Sequence, residues 1–185
     1  MFEIFETDEF KIRKIEISDV PLIYKNWAKE LEVARYTTWV NHSCEQETQS
    51  YVENCLADWV CNSYTWTIVH KAESTVVGSF AARENQHKID IGYLLAMEWW
   101  GKGIMTSVVK SFIREAFKNS QIERIGAVCD IENPASKRVM EKAGMQYEGI
   151  LSCWMKHPNV EVNARDCHSL SITAERHNQR LHREN

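Results

Sequence analysis

The pattern of apolar and polar positions changes period several times along the chain, and each change predicts a new element. Residues Phe10–Ile17 alternate apolar and charged side chains, as a half-buried strand does. A helix is expected to follow, with an N-cap at Ser18-Asp19 and an apolar stripe that reaches Leu31. Ser43 and Gln46 have capping-box spacing, which predicts the start of a second helix.

The middle of the chain returns to a period of two, which predicts an antiparallel meander of three strands joined by short polar turns. Gly78 falls inside the second of these strands and indicates a bulge. From residue 64 onwards the predicted strands are Tyr64–His70, Thr75–Ala82, Lys88–Leu95, Arg124–Asp130, Tyr147–Met155 and Arg165–Thr173.

The stretch Trp99–Thr106 (WWGKGIMT) joins the third strand of the meander to the most amphipathic helix pattern of the chain, which runs to Phe117. Gly101 and Gly103 allow a sharp turn that exposes backbone N–H groups at a helix N-terminus. That arrangement favours an anion such as phosphate or pyrophosphate. A glycine turn used for geometry alone has the same sequence, so this loop by itself leaves both readings open.

A further helix is predicted to begin at Asn133-Pro134, with Asn133 as the N-cap and Pro134 in the first helical position. Gly144 is expected to end it in a left-handed conformation.

Composition narrows the class of protein. The chain has 185 residues and a formal net charge of −4, which suits a single domain and disfavours a general nucleic-acid binder. No apolar stretch is long enough for a membrane span, and the N-terminus does not resemble a signal peptide. The six cysteines follow no zinc-site spacing, so reduced thiols, no metal and a cytoplasmic location are expected. We expect one domain over residues 1–174 and a charged tail over 175–185.

Two segments together resemble the GCN5-related N-acetyltransferase (GNAT) family, and its RimJ/RimL-type branch in particular. IGYLLAMEWWGKGIMTSVV is similar to the family's acetyl-CoA strand, pyrophosphate loop and helix, and NPASKRVMEKAGMQYEGIL to its second cofactor segment. YTTWVNHSCEQET resembles the substrate-side region, and RDCHSLSI the last strand. The resemblance implies an α/β fold with a mixed, twisted sheet that splays open at its centre to admit acetyl-CoA as co-substrate.

The resemblance also implies which residues contact the cofactor: the edge of the third meander strand, the glycine loop and the second helix start. The cofactor residues expected on this basis are Tyr93, Leu94, Leu95, Trp100, Gly101, Lys102, Gly103, Ile104, Met105, Thr106, Asn133 and Ser136.

The loop departs from the family pattern Q/R-x-x-G-x-G/A at two places. Trp100 occupies the first position and Met105 the last, and methionine there is usual in the RimJ/RimL-type branch. Because the pattern relies on backbone N–H groups, the departures are expected to leave pyrophosphate binding intact.

Acetyl transfer needs a base for the amine, a donor that polarises the thioester carbonyl and an acid for the leaving thiolate. A backbone N–H near Leu95 is the expected carbonyl donor. Many relatives use a tyrosine as the acid, but Met140 stands there, and the resemblance points instead to Ser136, which as an N3 serine also suits a purely structural role. For the base, Asp90 is the first candidate and Glu84 the second.

The base assignment is open for two reasons. Asp90 and Glu84 fit the role of ordinary solvated carboxylates equally well. In addition, a glutamate that several relatives have near the position of Met155 is missing. His42, read as a surface residue, and His168, read as a packed one, are weaker candidates.

The expected function is therefore an acetyl-CoA-dependent N-acetyltransferase. The acceptor is an amine, either a protein N-terminus of the ribosomal-protein kind or a small molecule, and its specificity is expected to depend on Thr37–Glu47 and Lys156–Ala164. A non-catalytic acyl-CoA-binding or sensing module is the alternative. No membrane or nucleic-acid partner is expected, and both a monomer and a homodimer are compatible with the sequence.

Overall fold

The computed structural model describes residues 1–184 as an eight-stranded mixed sheet with helices on both faces. The strand order is β1-β2-β3-β4-β5-β6-β8-β7, and every neighbouring pair is antiparallel except β5 and β6. The strands are β1 (Ile4–Glu6), β2 (Phe10–Lys14), β3 (Ser63–His70), β4 (Thr75–Asn85), β5 (Lys88–Leu95), β6 (Arg124–Asp130), β7 (Gln146–Lys156) and β8 (Ala164–Thr173).

Within residues 1–184, six α-helices accompany the sheet, and short 3-10 turns and one π-helical turn extend α1 and α3. None of the helices in the described range is long and apolar enough to cross a membrane. The α-helices are α1 (Val20–Ile23), α2 (Leu31–Ala34), α3 (Glu45–Asp58), α4 (Ile104–Ala116), α5 (Pro134–Ala143) and α6 (Ala174–Glu184).

The sheet opens at its centre because the parallel pairing of β5 and β6 is short. It covers Lys88–Asp90 against Arg124–Gly126 and then ends, although both strands continue. The C-terminal half of β5, residues 91–95, therefore has no β6 partner within the described chain. This separation confirms the expected α/β fold with a splayed mixed sheet, and it places an open strand edge beside the glycine loop.

Two apolar clusters lie on opposite faces of the sheet. The larger one packs α4 against the strands through Val108, Phe112 and Ile113, as the periodicity of this helix predicts. The smaller one packs α1 and α3 against the other face around Ile23, Trp27 and Val52. Because α4 packs on the buried face of β5, the free edge of this strand is fixed by packing as well as by its pairing with β4.

Most predicted elements are confirmed, including β5 and β6 with the predicted bounds. Asn133 caps α5, its side-chain oxygen accepting from the Ser136 N–H at 3.1 Å, and Gly144 ends the helix at φ +101°. The predicted bulge is confirmed by the register shift opposite Gly78. An alanine Cβ at Gly78 would lie 2.3 Å from the Leu94 carbonyl oxygen, so β4 and β5 need a glycine at that position.

Several local predictions are wrong. The first strand ends at Lys14 rather than Ile17, and Leu31 is exposed because the helix before it stops at Ala28. Ser43 takes Glu47 rather than Gln46 as its side-chain partner, at 2.9 Å.

The charged tail forms α6, whose His177 ring packs 5.3 Å from the Phe117 ring at the end of α4. The tail expected over residues 175–185 therefore contacts the domain through the described part of this helix, while Asn185 lies outside the described residues.

Candidate active site

The first cavity, here the donor cavity, lies between the free edge of β5, the glycine loop and the start of α5, and has a volume of about 380 Å³. Eleven of the twelve residues expected to contact the cofactor line it, and Lys102 is the exception, because its ammonium lies over the Trp99 ring at 4.7 Å. The eleven are Tyr93, Leu94, Leu95, Trp100, Gly101, Gly103, Ile104, Met105, Thr106, Asn133 and Ser136.

The glycine loop presents backbone rather than side chains to the donor cavity. Gly101 and Gly103 have φ values of +73° and +78°, in the left-handed region that favours glycine, and a Cβ on either would meet nothing within 4 Å. α4 begins directly after Gly103, so its first N–H groups lack partners within the helix. An anion at this place would meet open N–H groups and the positive end of the helix dipole.

Trp100, the departure from the family loop pattern, has a structural role. Its indole N–H donates to the Leu95 carbonyl at 2.7 Å and so ties the loop to the free end of β5. The tryptophan side chain thus fixes the distance between the loop and the strand edge that together line the donor cavity.

A second cavity of about 380 Å³, here the acceptor cavity, lies on the other side of the β5 edge. Its walls come from β3, β4, β5, β6 and the loops after α2 and β7. The residues that line both cavities are Tyr36, Thr37, Tyr93, Leu94, Asn133 and Ser136. The two cavities therefore meet at the start of α5.

Ser136 is held at this meeting point by Tyr93. The two hydroxyl oxygens are 3.1 Å apart, and the Tyr93 hydroxyl also lies 3.1 Å from the Ser136 carbonyl oxygen, to which it donates. Burial raises the pKa of Tyr93, so its hydroxyl stays protonated. With Tyr93 donating to the carbonyl, the Ser136 hydroxyl is the donor in the hydrogen bond between the two hydroxyls, which holds its hydrogen where the two cavities meet.

Cys129 lies beside this pair and lines the acceptor cavity. Burial raises the pKa of its thiol to about 11, so it remains a neutral thiol near pH 7. All six cysteines of the chain are free. A thiolate nucleophile at Cys129 is therefore disfavoured.

The two carboxylates proposed as bases lie outside both cavities. Asp90 faces solvent over Gly126, where an added Cβ would lie 3.1 Å from its Oδ1, and it interacts electrostatically with Arg124. Glu84 lines a separate cavity with Met1 and Phe2. Neither carboxylate is among the described residues that surround the meeting point, so neither is carried into the mechanism proposed below.

The two weaker histidine candidates also lie away from this point. His42 is buried rather than on the surface, with Nδ1 2.8 Å from the Thr48 hydroxyl, and burial lowers its pKa. His168 packs against the Tyr147 ring at 5.5 Å, as the sequence interpretation expects.

The acceptor cavity contains a polar group that sequence reasoning missed. Asp130 at the end of β6 and His157 in the loop after β7 are both 1% exposed, and both line this cavity. The His157 Nε2 lies 3.6 Å from Asp130 Oδ2, while Arg165 Nε donates to the same oxygen at 2.5 Å. Neither residue stands in a recognisable motif, because the group forms only where two distant segments pack together.

The two segments expected to control the acceptor are joined by Asn159. Its amide donates to the Ala34 and Trp39 carbonyls at 2.7 and 2.8 Å, and its Oδ1 accepts from the Asn41 N–H at 3.3 Å. The loop after α2 and the loop after β7 therefore form one wall. Across residues 1–184, no group of three or more His, Cys, Asp or Glu side chains could hold a metal ion.

Comparison with known proteins agrees with this geometry. The family model described as the acetyltransferase (GNAT) domain matches residues 9–146. An uncharacterised N-acetyltransferase of Bacillus subtilis, YoaA, is 28% identical over 159 residues, which cover 84% of this chain and 89% of YoaA.

Solved structures of acetyltransferases share the fold. The Microcin C7 self-immunity acetyltransferase MccE, solved with acetyl-CoA and AMP, superposes with a TM-score of 0.80 at 20% identity, covering 90% of this chain and 93% of MccE. RimL, a ribosomal L7/L12 α-N-protein acetyltransferase solved with coenzyme A, gives a TM-score of 0.80 at 18% identity, covering 92% of this chain and 98% of RimL.

Proposed function

We propose, from the premise that the chain belongs to the GNAT acetyltransferase family, that it moves an acetyl group from acetyl-CoA to a primary amine. The observation that carries the proposal is the meeting of the donor and acceptor cavities at Tyr93, Asn133 and Ser136. An acyl donor in one cavity and an amine in the other would come into contact there. Bound acetyl-CoA supplies an activated acyl group as a thioester.

The donor cavity offers separate features for the two parts of the donor. The pyrophosphate would be bound by backbone N–H groups at Gly103–Thr106, where the dipole of α4 favours negative charge. The amide groups of the pantetheine arm would pair with the free edge of β5 near Tyr93, as a further strand would. This division explains why backbone conformation matters more in the loop than its side chains.

Two groups at the meeting point would act on the thioester. A backbone N–H near Leu95 polarises the carbonyl and stabilises the charge that develops on its oxygen. Ser136 donates a proton to the departing sulfur, and Tyr93 orients it through the 3.1 Å contact between the hydroxyl oxygens. In this role Ser136 is the catalytic acid and Tyr93 is its positioning residue.

The acceptor is a primary amine that enters the cavity between the loop after α2 and the loop after β7. Proteins with a similar structure include both a ribosomal-protein α-N-acetyltransferase, RimL, and a self-immunity acetyltransferase, MccE. A protein N-terminus and a small amine are therefore both candidates for this chain. The RimJ/RimL-type resemblance favours the N-terminus.

The proposal is tested by measuring coenzyme A release with acetyl-CoA and a panel of amines. The panel contains short peptides with free N-termini, the same peptides blocked at the N-terminus, polyamines, amino acids and amine-bearing antibiotics. We expect transfer to at least one free amine and none to the blocked peptides. Acetyl-CoA binding by calorimetry without transfer to any amine would contradict the proposal and favour the acyl-CoA-binding module.

A further inference from the structure

We infer that His157 is the general base that removes the proton from the acceptor ammonium, an inference that rests on the proposed function. Its side chain is 2% exposed and lines the acceptor cavity together with Asp130, whose Oδ2 lies 3.6 Å from its Nε2. The sequence offered carboxylates of the β4–β5 hairpin as candidates for this base. The structure places a histidine with a free ring nitrogen at the acceptor cavity instead.

The hydrogen bond made by Nδ1 of His157 determines which nitrogen of the neutral ring carries the hydrogen. The Nδ1 atom lies 3.1 Å from the Thr37 carbonyl oxygen, which can only accept, so Nδ1 carries the hydrogen. In the neutral ring Nε2 is then unprotonated. This Nε2 is buried and has no hydrogen-bond partner among the described residues. A buried acceptor without a donor is costly unless a proton or a ligand reaches it.

Asp130 stabilises the ring once it has accepted a proton. Burial alone would raise the pKa of Asp130, but hydrogen bonds from Arg165 and from the Glu132 N–H outweigh it and lower the pKa below its usual value. Asp130 therefore stays ionised, 3.6 Å from Nε2. A fixed negative charge at that distance attracts the positive charge that the ring carries once it has taken a proton.

The same turn that holds Asp130 also places the proposed acid. The Asp130 Oδ1 accepts from the Glu132 N–H at 2.8 Å, and the Asp130 carbonyl accepts from the Asn133 N–H at 2.9 Å. Asn133 in turn caps the helix that carries Ser136. Asp130, which His157 faces, and the acid Ser136 thus belong to one short segment, and all three residues line the acceptor cavity.

The proton balance is complete without any further reactant. The first proton of the acceptor ammonium goes to Nε2 and then to solvent, which leaves a neutral amine. Its nitrogen forms a bond to the acyl carbon while the carbon–sulfur bond breaks. Ser136 donates its proton to the sulfur and recovers one from the acylated nitrogen, so the products are the N-acetyl amide and free coenzyme A.

The charged and titratable groups around His157 come from several elements. Asp130 on β6 faces Nε2, and the Tyr36 ring packs edge-on at 6.0 Å. Arg165 on β8 reaches the histidine only through Asp130, and it also pairs with Glu132 and Glu161 at 2.8 Å each. Among the described groups, Asp130 is therefore the charged one that lies directly against Nε2.

The test compares wild type with His157→Asn, whose side-chain amide can still donate to the Thr37 carbonyl but cannot accept a proton. For the acceptor amine found in the panel, we expect kcat to fall by about 10²- to 10⁴-fold while the Kd of acetyl-CoA is unchanged. The pH dependence of kcat/KM should also differ between the two proteins. An amine of low pKa, which is already neutral, should lose much less rate.

His70→Asn is the matched control. His70 also has a buried Nδ1 without a hydrogen-bond partner among the described residues, and it lies 3.5 Å from the Glu73 carboxylate, but it lines neither cavity. We expect its kcat and pH profile to match wild type. An unchanged kcat and pH profile in folded His157→Asn would overturn the inference, as would an equal loss of rate for neutral and protonated amines.

Two further measurements decide the case if His157→Asn does not fold. His157→Gln places its amide near the position of Nε2 and is judged by the same criteria. In wild type, long-range ¹H–¹⁵N spectra with assigned histidines should show the hydrogen of neutral His157 on Nδ1, and a hydrogen on Nε2 would overturn the inference. Wild type without transfer to any amine contradicts the proposed function itself, a separate outcome.

Discussion

At the scale of single residues, Ser136 has the most constrained environment at the proposed site. Its backbone N–H donates to the side chain of Asn133, the N-cap of α5. Its hydroxyl contacts Tyr93 and lies near Cys129. These contacts hold a weak acid in one orientation where the two cavities meet. In the proposed mechanism this serine is a helix-start residue and a proton donor at once.

Ser136→Ala is expected to lower kcat by about 10²-fold, because the departing sulfur loses its proton donor. The Kd of acetyl-CoA should stay close to that of wild type, since backbone groups provide most of the proposed contacts. Steady-state kinetics and calorimetry measure the two quantities. Tyr93→Phe is the companion variant, and a loss of similar size would assign the effect to orientation of the serine. Unchanged kcat in Ser136→Ala would remove the serine from the mechanism.

At the scale of elements, the loop between β5 and α4 combines two left-handed glycines with a helix N-terminus. Both glycines lack neighbours that a Cβ would strike, so steric crowding within the protein does not explain them. Their left-handed φ values and the open space in front of them explain why glycine stands at both positions. The element is therefore built for a backbone that a ligand can approach closely.

Gly103→Val is expected to weaken acetyl-CoA binding and to lower the free energy of unfolding by about 1–2 kcal/mol, the cost of a left-handed conformation for an L-residue. Calorimetry and urea denaturation measure the two effects. Gly103→Ala has the same backbone strain with a smaller side chain, so it separates strain from blocked access. If valine and alanine weakened binding equally, obstruction of the ligand by the side chain would be contradicted.

A second element-scale feature joins β6 and β7 across β8, which lies between them. Arg124 donates hydrogen bonds to the Glu148 carboxylate from Nη1 at 2.7 Å and from Nη2 at 2.5 Å. Ser171 on β8 donates to the same carboxylate at 2.7 Å. The hydrogen bonds from Arg124 are the main cause that lowers the pKa of Glu148 from 4.5 to about 2. This ion pair helps to hold the half of the sheet that carries Asp130.

Glu148→Gln is expected to reduce the free energy of unfolding at pH 7 by about 1 kcal/mol, a value discounted because the carboxylate is partly exposed. Because the pKa of Glu148 is lower in the folded state, its ionised carboxylate adds to the free energy of unfolding above pH 4.5. This contribution is lost as the pH falls towards about 2. Denaturation at several pH values should therefore show the difference from wild type shrinking below pH 4.5. A difference independent of pH would contradict this origin.

At the scale of the whole molecule, the function depends on one separation in the sheet. β5 and β6 pair over three residues and then diverge, which leaves the donor cavity on one side of β5 and the acceptor cavity on the other. The packing of α4 on one face and the pairing with β4 keep the free edge of β5 in place. The two substrates can thus bind to different surfaces and meet at a single point.

Gly92→Val tests this separation because Gly92 lines the acceptor cavity but not the donor cavity, and a Cβ there meets nothing within 4 Å. The valine side chain would enter the space of the amine and raise its KM by about fivefold, equivalent to about 1 kcal/mol of lost binding. The Kd of acetyl-CoA should be unchanged. Gly92→Ala should give a smaller rise in KM, and a weakened acetyl-CoA affinity in either variant would contradict two separate cavities.

The donor half of the site could be predicted from the sequence because its determinants are local. Glycines with positive φ, a helix start and an N-cap are properties of a few consecutive residues, and the β5 strand, the loop and α5 all lie where their patterns place them. The ends of the first predicted strand and helix were misjudged, because element ends depend on packing.

The acceptor half was decided by tertiary structure. Asp90 and Glu84 have suitable chemistry in the sequence, but the twist and pairing of the sheet place them outside both cavities. His157 gave no sequence signal, since its importance depends on Asp130 from β6 and a carbonyl at Thr37. Local patterns thus determined the fold and the donor loop, whereas long-range packing alone brought together the groups that face the amine.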